Sequence, residues 1–373
     1  MILKLKFVNF SNLLFSVIVI LNIVQYMWII PSTYSFLIKI FTVTIMAFEI
    51  IKYRLNFSSV FIVYMFMFVS IFLLNILIFD SFSDNFLYLL LFVITYMYIY
   101  LTSHKHKLKN VDLKLFELMY DFVLLTSLLS IFFHESVLGG RFRGFFSNPN
   151  TLGLLLAIFY PFVLFSKSSI YSKIFLGVFG LVFIFLTGSR NSLFAFILVN
   201  ILFILYKLKP YFANKSFKIR PMIIFFIFFI FTVAYIFFIF IPIGKGVLQR
   251  FDNSLSSTNY LMSSRIVGFK ISFEQFINNP LFGIGYNAKS IETSPTASAS
   301  TYLEFLKSLG IIGTIVILFP VFIIFYRLKK LSFMNFTVVL DVLSLAIAES
   351  YMYTPLGIGA FFAWYIIISI AFG

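Results

Sequence analysis

Successive apolar runs, each about 17 to 25 residues and so long enough to cross a hydrocarbon core of roughly 30 Å as a helix, dominate the chain. Such runs leave few folds open. In lipid every backbone polar group needs a partner within the protein, so only helices and closed barrels span. A barrel would show short alternating segments, and these runs do not alternate. The expected fold is all-α: a polytopic membrane helical bundle of about twelve transmembrane helices. The expected spans are 7–30, 34–51, 57–79, 86–101, 113–133, 152–165, 170–187, 192–206, 222–243, 300–326, 333–350 and 356–372. Residues 7–30 are too long for a typical signal-peptide core and lack a small-residue cleavage site, so they are read as a span. Composition agrees, since charged residues make up only 11% of the chain, against about 25% in soluble domains. No linker or tandem repeat stands out, and 1–373 reads as a single membrane-embedded domain.

Charge sorts the loops. Lys and Arg gather at Lys4, Lys52, Arg54, Lys105, Lys107, Lys167, Lys173, Lys207 through Arg220, and Arg327 through Lys330, while Pro31–Thr33, Asp80–Asn85 and Tyr351–Pro355 carry neither. By the positive-inside rule both termini are cytoplasmic. The net charge of +15 is accounted for by this topology, and no nucleic-acid partner is expected. Arg141, Arg143, Arg190, Arg250 and Arg265 then fall on the outer side, against the bias. Two readings stand for them: head-group contact by snorkelling, or recognition of an anion, for which the planar fork of guanidinium donors suits phosphate.

Cysteine is absent, which excludes thiolate chemistry, disulfides and Cys-based metal sites. The only imidazoles are His104, His106 and His134, and His104 and His106 alternate with lysines, so no metal site is expected. There is no P-loop and no GxGxxG after a strand, so no cofactor is expected either. Within spans, Glu117 and Asp121 share a helix face, Asp341 sits near mid-span, and Glu304 and Lys307 are spaced to pair. A charge at the bilayer centre costs about 2.5 to 3.5 kcal/mol, so each should find a partner or a cavity. Structural hydrogen bonding is the reading for Asp341, Glu117 and Asp121.

The longest late polar interruption runs over about 244–299 and forms the large outer loop. Within it Ile266, Phe269, Phe273, Phe276 and Ile277 recur at helical spacing until Asn279-Pro280 ends the pattern. This is an amphipathic helix expected in the membrane interface, with Arg265, Glu274 and Gln275 facing water or head groups. Elsewhere, Asn148-Pro149-Asn150 is a turn and helix-start signal whose amides can cap a helix or bind sugar hydroxyls. Gly188-Ser189-Arg190 breaks a span and presents a guanidinium, and Gly283 and Gly285 allow a tight turn or close approach to a ligand.

Together, Gly140-Arg141-Phe142-Arg143-Gly144 with Asn148-Pro149-Asn150, Leu186-Thr187-Gly188-Ser189-Arg190, and Arg265 through Asn279-Pro280-Leu281-Phe282-Gly283-Ile284-Gly285 to Tyr302-Leu303-Glu304 resemble the O-antigen polymerase and ligase superfamily. Glu349-Ser350 resembles the family's last-span signature. Ligases carry a His before the Tyr-Leu motif, where this chain has Ala299-Ser300, so the match is more similar to a repeat-unit polymerase. The resemblance implies a metal-independent, inverting glycosyltransferase joining polyprenyl-diphosphate-linked oligosaccharides on the outer face of a bacterial cytoplasmic membrane, for capsule, exopolysaccharide or O-antigen. Its expected partners are lipid-linked donor and acceptor, membrane lipids, a chain-length regulator and a flippase. The expected catalytic residues are Arg190, Arg265 and Glu304; the expected substrate-binding residues are Arg141, Arg143, Asn148, Asn150, Ser189, Arg250, Tyr302 and Lys307. A ligase of the same superfamily and a flippase are the alternatives. A transporter would show repeats in two halves and interrupted helices, and the sequence signals neither.

Overall fold

The computed structural model describes residues 10–52, 57–79, 82–106, 111–213, 261–286, 300–353, 356–357 and 359–372. They form α1 (Phe10–Val24), α2 (Ser32–Lys52), α3 (Ser59–Ile78), α4 (Phe82–His106), α5 (Val111–Ser130), a hairpin of β1 (Val137–Leu138) and β2 (Arg141–Phe142), α6 (Pro149–Phe165), α7 (Ile170–Leu186), α8 (Arg190–Ala213), α9 (Leu261–Asn278), α10 (Thr301–Ile317), α11 (Phe319–Tyr326), α12 (Phe333–Ala348) and α13 (Ala360–Phe372). Five segments, Ser32–Lys52, Ser59–Ile78, Phe86–Ser103, Arg190–Lys207 and Thr301–Tyr326, are long and apolar enough to cross a membrane, and several shorter apolar helices join them. This is a helical membrane protein. The expected span 222–243 lies outside the described residues.

Helix boundaries follow local chemistry. α1 stops short of the expected Ile30 because Asn22 and Gln25 are buried and tied to its own last turns, Asn22 Nδ2 donating to the Ile18 carbonyl (3.0 Å) and Gln25 Nε2 to Asn22 Oδ1 (3.2 Å). α5 forms where expected but is not among the apolar helices, since Lys114, Glu117 and Asp121 punctuate it.

The chain divides into two compact units. One takes the described residues of 1–115, 264–330 and 346–373. Its core is α13, buried on every face as expected of a helix that is apolar all round, and packed against α4 and α11. Aromatic rings fill the seams: Tyr96 against Trp364 (5.1 Å between centroids), Phe61 against Phe372 (5.3 Å) and Phe72 against Tyr286 (4.8 Å).

The other unit takes the described residues of 116–263 and 331–345. Its centre is α6, buried from Leu152 to Leu164 and packed against α7 and α8. Gly177 admits the Tyr160 ring, whose hydroxyl would lie 2.6 Å from an added Cβ. That hydroxyl donates to Asn200 Oδ1 (3.0 Å), while Tyr120 caps the Leu176 carbonyl (3.0 Å).

Candidate active site

In the second unit the site elements are the β1/β2 hairpin, the start of α6 and the α7–α8 corner. Asn148 is the N-cap of α6, with Pro149 in the first turn, and its Oδ1 accepts from the Asn150 amide at 2.8 Å. Capping is therefore what the Asn148 side chain does here. The α7–α8 corner is only three residues long: Thr187 closes α7, Gly188 adopts φ +62°, and the Ser189 carbonyl accepts the first bond of α8 from Leu193. Ser189 is buried and its hydroxyl pairs with that of Ser192 at 2.9 Å. Gly153 of α6 lies beneath this corner, where an added Cβ would meet Thr187 Oγ1 and Ser192 Oγ at 3.0 Å each.

The arginines divide by what they hold. Arg141 Nε donates to the Thr187 carbonyl at 2.5 Å, and its Nη2 donates to Asn150 Oδ1, so one guanidinium ties the hairpin to the end of α7 and the start of α6. Arg143 donates to the carbonyls of Glu135 (2.8 Å) and Ser147 (3.3 Å), closing the loop on itself. Arg190 differs. It is exposed at the first residue of α8, and no hydrogen bond or ion pair engages it among the described residues. A cation at a helix N-terminus opposes the helix dipole, whereas an anion there would gain from both. Its neighbour Asn191 is structural, its Nδ2 donating to the Leu345 carbonyl at 2.7 Å.

In the first unit, α9 spans Leu261–Asn278 and ends before Asn279-Pro280 as the sequence requires. Arg265 lies on it, with its side chain outside the described residues, and Arg250 lies outside them altogether. Among its described side-chain positions the small residues Gly268 and Ser272 are the buried ones; Phe273 and Ile277 are exposed, and Lys270 meets Glu274 at 3.8 Å on the open side. Gln275, expected to face water, is half-buried.

Glu304 and Lys307 do pair, at 2.7 Å and with both side chains largely covered. Tyr302 is half-buried beside them in sequence, and Ser300 is the N-cap of α10 without a side-chain capping bond.

One expectation is corrected at α10, which is interrupted at Gly310 (φ +64°, ψ −169°). The Pro280–Gly285 loop fills the break. Ile284 and Gly285 amides donate to the carbonyls of Lys307 (2.8 Å) and Ser308 (3.1 Å), while Ile311 and Ile312 amides donate to the carbonyls of Pro280 (2.8 Å) and Leu281 (3.4 Å). The approach is so close that a Cβ at Gly283 would sit 2.5 Å from the Lys307 carbonyl oxygen. Gly283 and Gly285 thus serve backbone against backbone.

A second correction concerns Asp341. The carboxylate is fully buried, yet neither of its oxygens has a hydrogen-bond partner among the described residues, nor does Asp121 Oδ1. The expected hydrogen bonding is not found for these oxygens among the described residues. Sequence reasoning missed Asn75, Tyr286 and Tyr353, which buttress the loop in the break. Tyr286 is buried and stacks on Tyr353 at 4.5 Å; burial pushes its phenol well up, with Tyr353, Tyr88 and Glu304 adding, so it stays a neutral donor to the Tyr353 carbonyl.

Residues 175–318 match the family model described as O-antigen ligase. The stretch runs from α7 to the end of α10, so it includes Arg190, Arg250, Arg265, Glu304 and Lys307 and leaves out the hairpin and Asn148. No curated protein matches the chain.

Proposed function

We propose, from the match of residues 175–318 to the family model described as O-antigen ligase, that the chain is a repeat-unit polymerase acting on polyprenyl-diphosphate-linked oligosaccharides at the outer face of a bacterial cytoplasmic membrane. The whole chain works as one membrane-embedded catalytic domain with cytoplasmic termini, and its product is a capsule, exopolysaccharide or O-antigen glycan. The observation that carries this reading is Arg190: an exposed guanidinium at the positive end of α8, unengaged among the described residues and inside the matched stretch.

In the reaction an acceptor sugar hydroxyl attacks the anomeric carbon of the donor from the face opposite the diphosphate. The new glycosidic bond forms as the bond to the phosphate oxygen breaks, and the electron pair leaves with the polyprenyl diphosphate. Arg190 meets the charge that grows on that oxygen. Glu304, held by Lys307 and flanked by Tyr302, takes the proton from the acceptor hydroxyl. No step calls on a metal, as the family resemblance implies. With Ala299-Ser300 where ligases carry His, no imidazole base stands at that position, which favours polymerisation over ligation.

A flippase for the same lipids is the second reading, and the interrupted α10 is the observation that favours it. Against it, the Lys307 and Ser308 carbonyls and the Ile311 and Ile312 amides beside Gly310 bond the 280–285 loop rather than standing open to a ligand. Arg190→Ala separates the readings in cells. A polymerase expressed at normal levels loses long glycan and accumulates single-repeat lipid intermediates on the outer leaflet. Accumulation on the cytoplasmic leaflet supports the flippase, and normal chain length rejects both.

A further inference from the structure

Asn75 lies in the last turn of α3, 2% exposed, in an otherwise apolar helix. A buried carboxamide is costly unless satisfied, and this one is used at both ends. Its Nδ2 donates to the carbonyls of Phe282 (2.9 Å) and Ser308 (3.3 Å), and its Oδ1 accepts from the Tyr286 amide (2.8 Å). The partners fix which end is oxygen, because carbonyls only accept and an amide N–H only donates.

These three backbone groups belong to two segments that are remote in sequence. Phe282 and Tyr286 flank the loop that follows α9, and Ser308 lies two residues before the break in α10. Asn75 therefore bolts the loop to the half-helix at the point where Ile284 and Gly285 already donate into it. Around this bolt, Phe79 presses on Gly285, Tyr353 bonds Ser308 through its hydroxyl at 2.9 Å, and Tyr286 is sealed between Phe72 and Tyr353. The half-helix it steadies carries Glu304 and Lys307, within two turns of the break.

We propose that Asn75 is a positioning residue: by locking the 280–286 loop into the α10 break, it fixes the Glu304–Lys307 pair relative to α9. The proposal rests on the polymerase reading for what is positioned, but the lock is a structural statement that can fail by itself. The carboxamide touches no reacting atom in this scheme. Its effect is on the placement of Glu304, and a displacement of about 1 Å in a catalytic group can cost about 100-fold in rate.

The decisive variant is Asn75→Asp, which keeps the shape but turns a carboxylate oxygen toward two carbonyl oxygens. The full chain in lipid nanodiscs is read by amide hydrogen exchange in the peptide covering Gly283 to Tyr286, with no substrate present, and by turnover of lipid-linked repeat units. The lock predicts exchange about tenfold faster in the variant, and the positioning role predicts kcat reduced about 100-fold with KM for the donor within about threefold. Unchanged exchange at those amides overturns the lock. Faster exchange with unchanged kcat overturns the positioning role. Should Asn75→Asp reach the membrane poorly, exchange in its folded fraction still decides, as does Gly310→Ala, which attacks the same lock from the other side by driving a Cβ into the Leu281 carbonyl. If wild type and Arg190→Ala both fail to polymerise the donor, the functional reading falls while the exchange result stands.

Discussion

The loop lodged in the α10 break and the α7–α8 corner are both built on positive-φ glycines, yet they end in opposite states. In the break the Lys307 and Ser308 carbonyls and the Ile311 and Ile312 amides are matched by backbone groups of Pro280–Gly285, and Asn75 also donates to the Phe282 and Ser308 carbonyls. At the corner Arg141 and Arg143 are held by carbonyls, but no hydrogen bond or ion pair engages Arg190 among the described residues. A polar cluster that closes on itself stabilises a shape. One that leaves a charged donor open is equipped for a ligand.

Several substitutions would break or sharpen this contrast. The largest effect on stability is expected for Lys307→Met, which removes the ion-pair partner of the Glu304 carboxylate at 6% exposure; removal of one partner of a buried pair costs about 3 to 5 kcal/mol. Denaturation of the purified protein would show it, and adding Glu304→Gln should restore much of the loss. The largest effect on activity at unchanged stability is expected for Arg190→Ala, a loss of about 100- to 1000-fold in polymer formation with a melting curve like that of wild type. Arg141→Ala should invert that pattern, lowering stability by about 1 to 3 kcal/mol because the Thr187 carbonyl and Asn150 lose their donor. If Arg141→Ala leaves the melting curve unmoved, the division between tied and open arginines is wrong. The smallest effect is expected for Asn148→Ala, about 1 kcal/mol from the lost cap of α6, again by thermal or chemical unfolding.

Much of this was legible in the sequence where the cause is local. Hydropathy located the helices, Asn148-Pro149 marked the start of α6, Asn279-Pro280 ended α9, and the three-residue spacing of Glu304 and Lys307 foretold their ion pair. What was hidden depends on distant partners. Gly310 sits in a run apolar enough to read as one span, and an isolated glycine is tolerated in a helix; only the approach of residues 280–285 reveals the break. Asn75 is a lone amide whose partners lie 207 and 233 residues away. The reach of Arg141 to the Thr187 carbonyl was hidden in the same way, the two lying 46 residues apart. The paired glycines Gly283 and Gly285 were the one visible hint, since they left a close backbone approach open.

Reconstitution of the purified chain in vesicles with polyprenyl-diphosphate-linked repeat units, and no other protein, tests the central claim most directly. The account predicts glycan longer than one repeat, with one polyprenyl diphosphate released for each linkage formed and both signals lost in Arg190→Ala. Translocation of the lipid across the bilayer without any new glycosidic bond, or polymerisation indifferent to Arg190, would contradict it.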